Sequence, residues 1–288
     1  MVYDKSGNAT FEAYNENGER LVQAYDISGQ PLFAYDIVAM TYNVEWFSGI
    51  NANKTMQDGI ISDYDPDIIG IEEFQSKNSN SIPTVGQQVL SGFADVKMGN
   101  YGNKNGFASK TTLSDFDTVP CTVQTMEDTY GGQSYSTAKT TIKGKEIFLL
   151  VGHTTTHAYG IDKMEDQTEE IFDALQNHEY FIMFADLNTT CRSTSDQDYT
   201  AIMKRFVDAG YNCSNCYPKN GSFIALNTWN GGTGTGTWYP TDHVITSSNI
   251  EILHVVVDKR KIQVAQQTGQ TIDHLPLIAY LRFKEQEV

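Results

Sequence analysis

The chain reads as an α/β domain in which helices cover sheets, and three observations predict this. From Asp36 onward, short β-branched apolar runs alternate with segments of helical periodicity. Almost every apolar run is closed or opened by a polar side chain capable of chemistry. Ahead of this alternation, the first 36 residues follow another rule, a repeat of ten or eleven residues.

The repeat comes first in the chain. "YDKSGNATFEA", "YNENGERLVQA" and "YDISGQPLFA" follow one another from Tyr3, and Tyr35-Asp36 starts the pattern again. Each unit has a Tyr-Asx, a central Gly and an apolar stretch ending in Ala. Asn-Gly or Ser-Gly between short runs is a hairpin signal, and one such unit buries little alone. Residues 1–36 are therefore expected to form a small β-repeat module for attachment or self-association. A tail without structure would waste the repeated Tyr, Leu and Phe.

Residues 37–288 are expected to form the main domain. "IVAMTYNV" is a strand, "KTMQDGIISDY" a helix and "PDIIGIEEF" a strand. "IPTVGQQVLSGFADV" reads as a helix and "GKEIFLLVGH" as a strand. In "DKMEDQTEEIFDALQNH", Met164, Ile171 and Leu175 line one face of an amphipathic helix. "EYFIMFADLN" is a buried strand and "DYTAIMKRFVDAG" a helix stopped by Gly210. "DHVITSS", "IEILHVVV" and "PLIAYLRF" are strands.

The formal charge of −16 and a pI near 4.6 repel polyanions at long range. This argues against binding nucleic acid by broad electrostatics, but not against reaching phosphate through a bound cation, which reverses the local field. No apolar run approaches the length of a transmembrane segment. The opening "MVYDKSGNATF" lacks the positive start and apolar core of a secretory signal. Cys121, Cys191, Cys213 and Cys216 do not complete a zinc pattern. For "CSNC", a small disulfide and two free thiols are both open.

The polar residues at the run ends are Asn43, the pair Glu72-Glu73, His153, Asp186 and Asn188, Asp242-His243, and Asp273-His274. Each has a bland reading. Asn43 can close a turn, Asp186 and Asn188 can cap a loop, and His153 can be a satisfied core histidine. Strand alternation requires one of Glu72 and Glu73 to point outward if the other points in. Together, these carboxylates, amides and imidazoles would repel one another without a cation among them. Oxygen ligands without cysteine favour a hard metal such as Mg²⁺ or Mn²⁺.

In order, "TYNV", "DIIGIEEF", "VGHTTTH", "ADLN", "TDHVITS" and "IDHLP" resemble the motif series of the endonuclease/exonuclease/phosphatase superfamily, the deoxyribonuclease I-like fold. The resemblance covers about residues 37–288. It implies a four-layer sandwich of two packed mixed β-sheets flanked by helices, and a metal-dependent phosphoester hydrolase using in-line attack of water. By the same resemblance, Glu73 is the main metal ligand, with Asn43 and Asp273 beside it. The ion is Mg²⁺ or Mn²⁺, with Ca²⁺ as an alternative structural or activating ion. Asp186 serves the attacking water, and Asn188 and His153 donate to the phosphorus oxygens. His274 is the base or phosphate contact, oriented by Asp242. Tyr101, in "NYGNKNGFASK", takes the place of a phosphate-contacting tyrosine. Lys139 is the nearest stand-in for a basic residue on the strand before the histidine strand. Ala185 departs from the usual Gly, and His243 stands where a bulky residue is common and is expected to face away.

DNA or RNA is the first substrate reading. A phospholipase C-type or inositol-phosphate phosphatase reading stays open, since "YPKNGSFIALNTWNGGTGTGTWYP", with Trp229 and Trp238, can form an apolar hairpin as well as a surface loop. A reading of another class makes the chain an attachment protein carrying a nuclease-like domain.

Overall fold

The computed structural model describes residues 2–3, 9–10, 35–75, 81–102, 104–125, 132–219, 221–230 and 237–284. Of the amino-terminal repeats it describes β1 (Val2–Tyr3) and β2 (Ala9–Thr10), which pair antiparallel. The rest of the expected repeat module lies outside the described residues.

Two six-stranded sheets face each other. The first contains β3 (Ile37–Asn43), β4 (Ile68–Glu72), β5 (Asp95–Met98), β6 (Gly106–Ser109), β15 (Ile250–Val257) and β16 (Leu277–Phe283), in the order β15-β16-β3-β4-β6-β5. The second contains β7 (Ser114–Pro120), β8 (Ser134–Ile142), β9 (Lys145–His153), β10 (Phe181–Asp186), β11 (Asn212–Cys213) and β14 (Asp242–Thr246), in the order β11-β14-β10-β9-β8-β7. A small hairpin, β12 (Tyr217–Lys219) with β13 (Ser222–Ile224), stands apart.

Each sheet has one parallel pair among antiparallel ones. β3 and β4 are parallel and joined over helix α1 (Lys54–Tyr64). β9 and β10 are parallel and joined over α3 (Ile161–Leu175), the longer of these crossover helices, after α2 (Thr84–Val89) in chain order. These two βαβ units aim four carboxyl ends at one rim, where α/β sheets place ligands. β14 and β16 run the other way, so their amino-terminal ends reach the same rim. This explains the pattern in the sequence: strands running up to the rim close on a polar residue, and strands leaving it open on one.

Alternation along β3 sorts the layers. Ile37 and Ala39 enter the core between the sheets, with Phe107, Leu149, Ile182 and Phe184. Val38, Met40 and Tyr42 face the outer layer of α1 and α5 (Arg260–Thr268), which follows α4 (Lys204–Asp208) in the chain. Gly70 lets the sheets approach: a Cβ there would stand 2.2 Å from the Phe184 side chain. α1 begins where the Asn53 side chain accepts from the Met56 amide at 3.1 Å.

Two helices are shorter than expected. The segment expected over 82–96 is helical only through Thr84–Val89 before β5 begins. In 198–210 a wide π-type turn, Tyr199–Met203, precedes α4. All four cysteines are buried free thiols. No helix among the described residues is long and apolar enough to cross a membrane.

Candidate active site

The rim brings Asn43, Glu73, His153, Asp186, Asn188, Asp242 and His274 together. Asp186 is at the centre. Its Oδ2 accepts from Asn43 Nδ2 at 3.0 Å and lies 3.5 Å from His153 Nε2 and 3.4 Å from His274 Nε2. Its Oδ1 accepts from the Asn188 amide at 3.0 Å. Sheet register does the placing: Asp186 sits opposite His153 on one side and Asp242 on the other.

Asn43 ties the two sheets. Its amide also reaches Glu73 Oε1 at 3.3 Å, and its own Oδ1 accepts from the Glu45 amide at 3.0 Å. The backbone then turns through Glu45, Trp46 and Phe47, all three with positive φ. Such a run is costly for non-glycine residues and persists only where surroundings dictate it. Here the Trp46 amide donates to the Glu73 carbonyl at 3.0 Å, so the turn and Glu73 hold each other.

The alternation expected for Glu72 and Glu73 does not hold. Glu73 has φ 52°, so β4 ends at Glu72 and the next side chain swings back. Both carboxyls are buried. Glu72 accepts from Thr41 Oγ1 at 2.9 Å, and Glu73 turns to Asn43 and to His153, whose Nδ1 is 4.0 Å away. Burial, then the charges of Asp242 and Asp186, hold the Glu72 carboxyl well above the ordinary range. Burial also raises Glu73 and Asp186, each partly offset by His153 and His274. One oxygen of each glutamate, Oε2, is buried without a partner.

His274 Nδ1 lies 3.0 and 3.2 Å from the two oxygens of Asp242, which also accepts from Thr241 Oγ1 at 2.9 Å. With Nδ1–H donating to Asp242, Nε2 is directed at Asp186. Burial pushes the imidazole pKa down, but Asp242, Asp186 and Asp273 more than reverse it, and it stands well above the ordinary histidine value. Asp242 goes the other way: burial raises it, while the His274 charge and hydrogen bond hold it below the usual carboxylate value. Asp186, Asp242 and His274 each offer an atom within 4.8 Å of the others, so the trio could hold a metal ion.

The other residues singled out lie at or beyond the edge of this cluster. Asp273 is 3.9 Å from His274 Nε2 and accepts from Trp229 Nε1. Asn188 gives one amide hydrogen to the Thr154 carbonyl at 2.9 Å. The Tyr101 loop abuts the rim, since the Phe74 amide donates to the Lys104 carbonyl at 3.3 Å, but the tyrosine hydroxyl stands beside Gly132. Lys139, expected to touch substrate, lies in mid-strand opposite Phe148, five residues before His153 in the facing strand, and pairs with Asp115 at 3.0 Å and Glu146 at 3.7 Å, outside the cluster at the rim. His243 faces the outer layer, 2.9 Å from Thr189 Oγ1.

Sequence reasoning passed over Thr41 and Trp229 as site residues. Thr41 could have been found, because it shares the inward phase of Asn43. Trp229 could not: it meets the site through bridges to Tyr239 and His274 that join distant segments.

A family model described as the Endonuclease/Exonuclease/phosphatase family matches residues 40–261. No curated protein matches the chain. Among solved structures, an endonuclease/exonuclease/phosphatase from Beutenbergia cavernae DSM 12333 superposes with a TM-score of 0.64 at 14% identity, covering 87% of this chain and 72% of that one. D. rerio TDP2 complexed with single-strand DNA product gives 0.62 at 13% identity, covering 85% and 98%. A mannosyl-6-phosphatase from Bacteroides thetaiotaomicron VPI-5482 gives 0.59 at 14% identity, covering 86% and 100%.

Proposed function

The chain belongs to the endonuclease/exonuclease/phosphatase family, a superfamily of phosphoester hydrolases, and from that premise we propose a divalent-metal-dependent phosphodiesterase that cuts nucleic acid by in-line attack of water. The observation that carries the reading is the convergence of Asn43, His153 and His274 on one oxygen of Asp186, with Asp242 behind His274.

Asp186 accepts the proton of the attacking water, since its Oδ2 is the oxygen on which Asn43, His153 and His274 converge. His274 works as an imidazolium that donates from Nε2 to a phosphate oxygen, which suits its raised pKa better than the role of base does. Asp242 keeps Nδ1–H pointed away from substrate and stabilises the ring's charge. His153 and the second amide hydrogen of Asn188 donate to oxygens that gain charge in the transition state. The residues fit a hard cation: Glu73 Oε2 is buried without a partner, and the carboxyl lies beside the Asn43 amide and the His153 ring and within the field of Asp273. Glu73, Asn43 and Asp273 would hold Mg²⁺. When bound, the ion neutralises a phosphate oxygen and the charge building at phosphorus.

The TDP2 structure with a DNA product supports nucleic acid as the substrate class. The net charge of −16 favours a second reading, a small phosphate ester. A panel with Mg²⁺ decides between them, using plasmid DNA, single-stranded DNA, RNA, sphingomyelin, sugar and inositol phosphates, and bis-p-nitrophenyl phosphate. Cleavage of DNA or RNA at the highest kcat/KM is expected. Turnover of sugar or inositol phosphates alone would establish the second reading, and no metal-dependent turnover of any ester would overturn both.

A further inference from the structure

Lys261, in the first turn of α5, is among the largest fully buried side chains of the protein. It crosses beneath the first sheet toward the rim. Its ammonium donates to the His274 backbone carbonyl at 2.6 Å and sits 4.3 Å from the centre of the Tyr42 ring. Both partners are neutral. A dehydrated ammonium recovers only a fraction of its lost hydration from one carbonyl and one π face. Burial lowers its pKa to about 7, against the opposing pull of Asp273, Glu45, Asp242 and Asp258. For stability alone, an apolar side chain of the same length would serve at least as well.

What the ammonium reaches gives it a use. The His274 carbonyl lies on the turn that carries the Asp273 carboxylate and the His274 ring. Tyr42 precedes Asn43, and its hydroxyl is fixed 3.0 Å from Gln57 Oε1 and 3.2 Å from Asn51 Oδ1. Lys261 thus joins the two chain segments that bring Asn43 and His274 to Asp186. Among the described residues, the turn's other ties are the Asn230 amide on the Asp273 carbonyl, the Trp229 ring on the Asp273 carboxylate, the His274 ring on Asp242, and next to it the Leu275 amide on the Thr228 carbonyl. All of these reach it from the second sheet or the loop before it, and of these ties only Lys261 leads to β3.

We infer that Lys261 is a positioning residue, fastening the Asp273–His274 turn to the β3 end so that His274 Nε2 stays against Asp186. Its catalytic consequence rests on the hydrolase reading above, while its geometric consequence does not. Such an arrangement places function ahead of stability, a common trade at active sites.

The test is Lys261→Met, which keeps length and volume and removes charge and donor. Thermal unfolding, steady-state kinetics with Mg²⁺ on the best substrate of the panel, and a crystal structure of the variant are measured together. The expected result is a melting temperature equal to or above wild type, kcat lower by about ten- to a hundredfold and KM within about twofold, since misplacing a reacting group by about 1 Å costs that much. In the crystal, His274 should be displaced from Asp242. Unchanged kcat in a folded variant overturns the proposal. So does a variant that unfolds or melts markedly lower, because the lysine is then a stability element. If the wild type hydrolyses nothing in the panel, the hydrolase reading fails, and the crystal structure still decides: a His274 that has not moved overturns the positioning role.

Discussion

Asp242-His243 and Asp273-His274 are the same dipeptide at the same rim, yet their histidines differ in partner and in the direction of their pKa shift. His243 is fully buried against Thr189 and its pKa is pushed down to about 4. His274 is nearly as buried and its pKa is held well above the ordinary value. The difference is strand phase. Asp242 opens β14, so Asp242 faces the sheet interior and His243 the opposite layer, out of reach of its own neighbour's carboxylate. The second dipeptide lies ahead of β16, where the chain is not pleated, and His274 turns back to Asp242. The hydrogen-bonded pair is therefore the acid of one dipeptide with the imidazole of the other. An adjacent acid and base in a sequence need not share a proton, and burial alone does not set the direction of a pKa.

The change that should break this comparison most severely is Asp242→Asn. It leaves the volume intact but removes the charge that stabilises the imidazolium and lets an amide N–H face Nδ1, which reverses the His274 tautomer, and kcat is expected to fall by about 10³–10⁴-fold, as when an aspartate behind a catalytic histidine is amidated. Asp273→Asn, its counterpart, should cost only about ten- to a hundredfold, the usual effect of weakening one outer ligand. Steady-state kinetics on both variants measures the gap. A larger loss for Asp273→Asn would mean that the second dipeptide works as a unit after all.

Glu72 and Glu73 extend the comparison to adjacent acids. Glu73→Gln should lower Mg²⁺-dependent turnover by about a hundredfold or more, since it neutralises the carboxylate proposed as the main metal ligand. Glu72→Gln should cost less than about tenfold, because the Thr41 hydroxyl still finds an amide oxygen. It should also flatten one pH arm of stability. The folded Glu72 pKa is raised, so its contribution is present at low pH and lost as pH rises past the unfolded carboxylate value. Chemical denaturation of wild type and variant at pH 5 and pH 8 would show this. A Glu72→Gln enzyme as impaired as Glu73→Gln would exchange their roles.

How much of this was legible depended on locality. α1 coincides with the expected 54–64 because Asn53 caps it and Asp65, left-handed at φ 46°, ends it. β9 and β10 are long buried runs and read clearly. β7 did not: it is an exposed edge strand carrying Asp115 and Asp117, with no buried face to impose alternation. β5 and β6 have four residues each, too few for periodicity to show. At the site, residues that close or open buried strands could be named from the sequence. Glu73 defied the alternation rule because the strand ends one residue before it. For Lys139 there was no motif to follow in the sequence, and its register against Phe148 was not legible. Lys261 stands among other bases in "DKRKIQ", which reads as a solvated face, and only tertiary packing buries it.

The smallest effect on turnover is expected from His243→Phe, and it isolates what burial does without a charged partner. Thr189 Oγ1 already donates to the Pro240 carbonyl at 2.6 Å, so losing the imidazole orphans no donor there. The ring's Nδ1 has no partner to lose. Turnover should stay within about twofold of wild type, because the His243 ring makes its side-chain hydrogen bond to Thr189 and none to the cluster. Stability should respond to pH. The folded pKa lies below the unfolded one, so above pH 6.5 neither state gains a proton and the group is silent. As pH falls from 6.5 toward about 4, the unfolded chain takes up a proton that the folded one refuses, and stability is lost by up to about 3 kcal/mol. His274 has the opposite sign: its contribution is present below the unfolded value and lost as pH rises through the raised folded one. His243→Phe should therefore remove a large share of the acid-side loss and leave the alkaline side alone. Denaturation midpoints from pH 7 to pH 4 would check it, and an acid limb of unchanged slope would mean that His243 is charged in the folded protein.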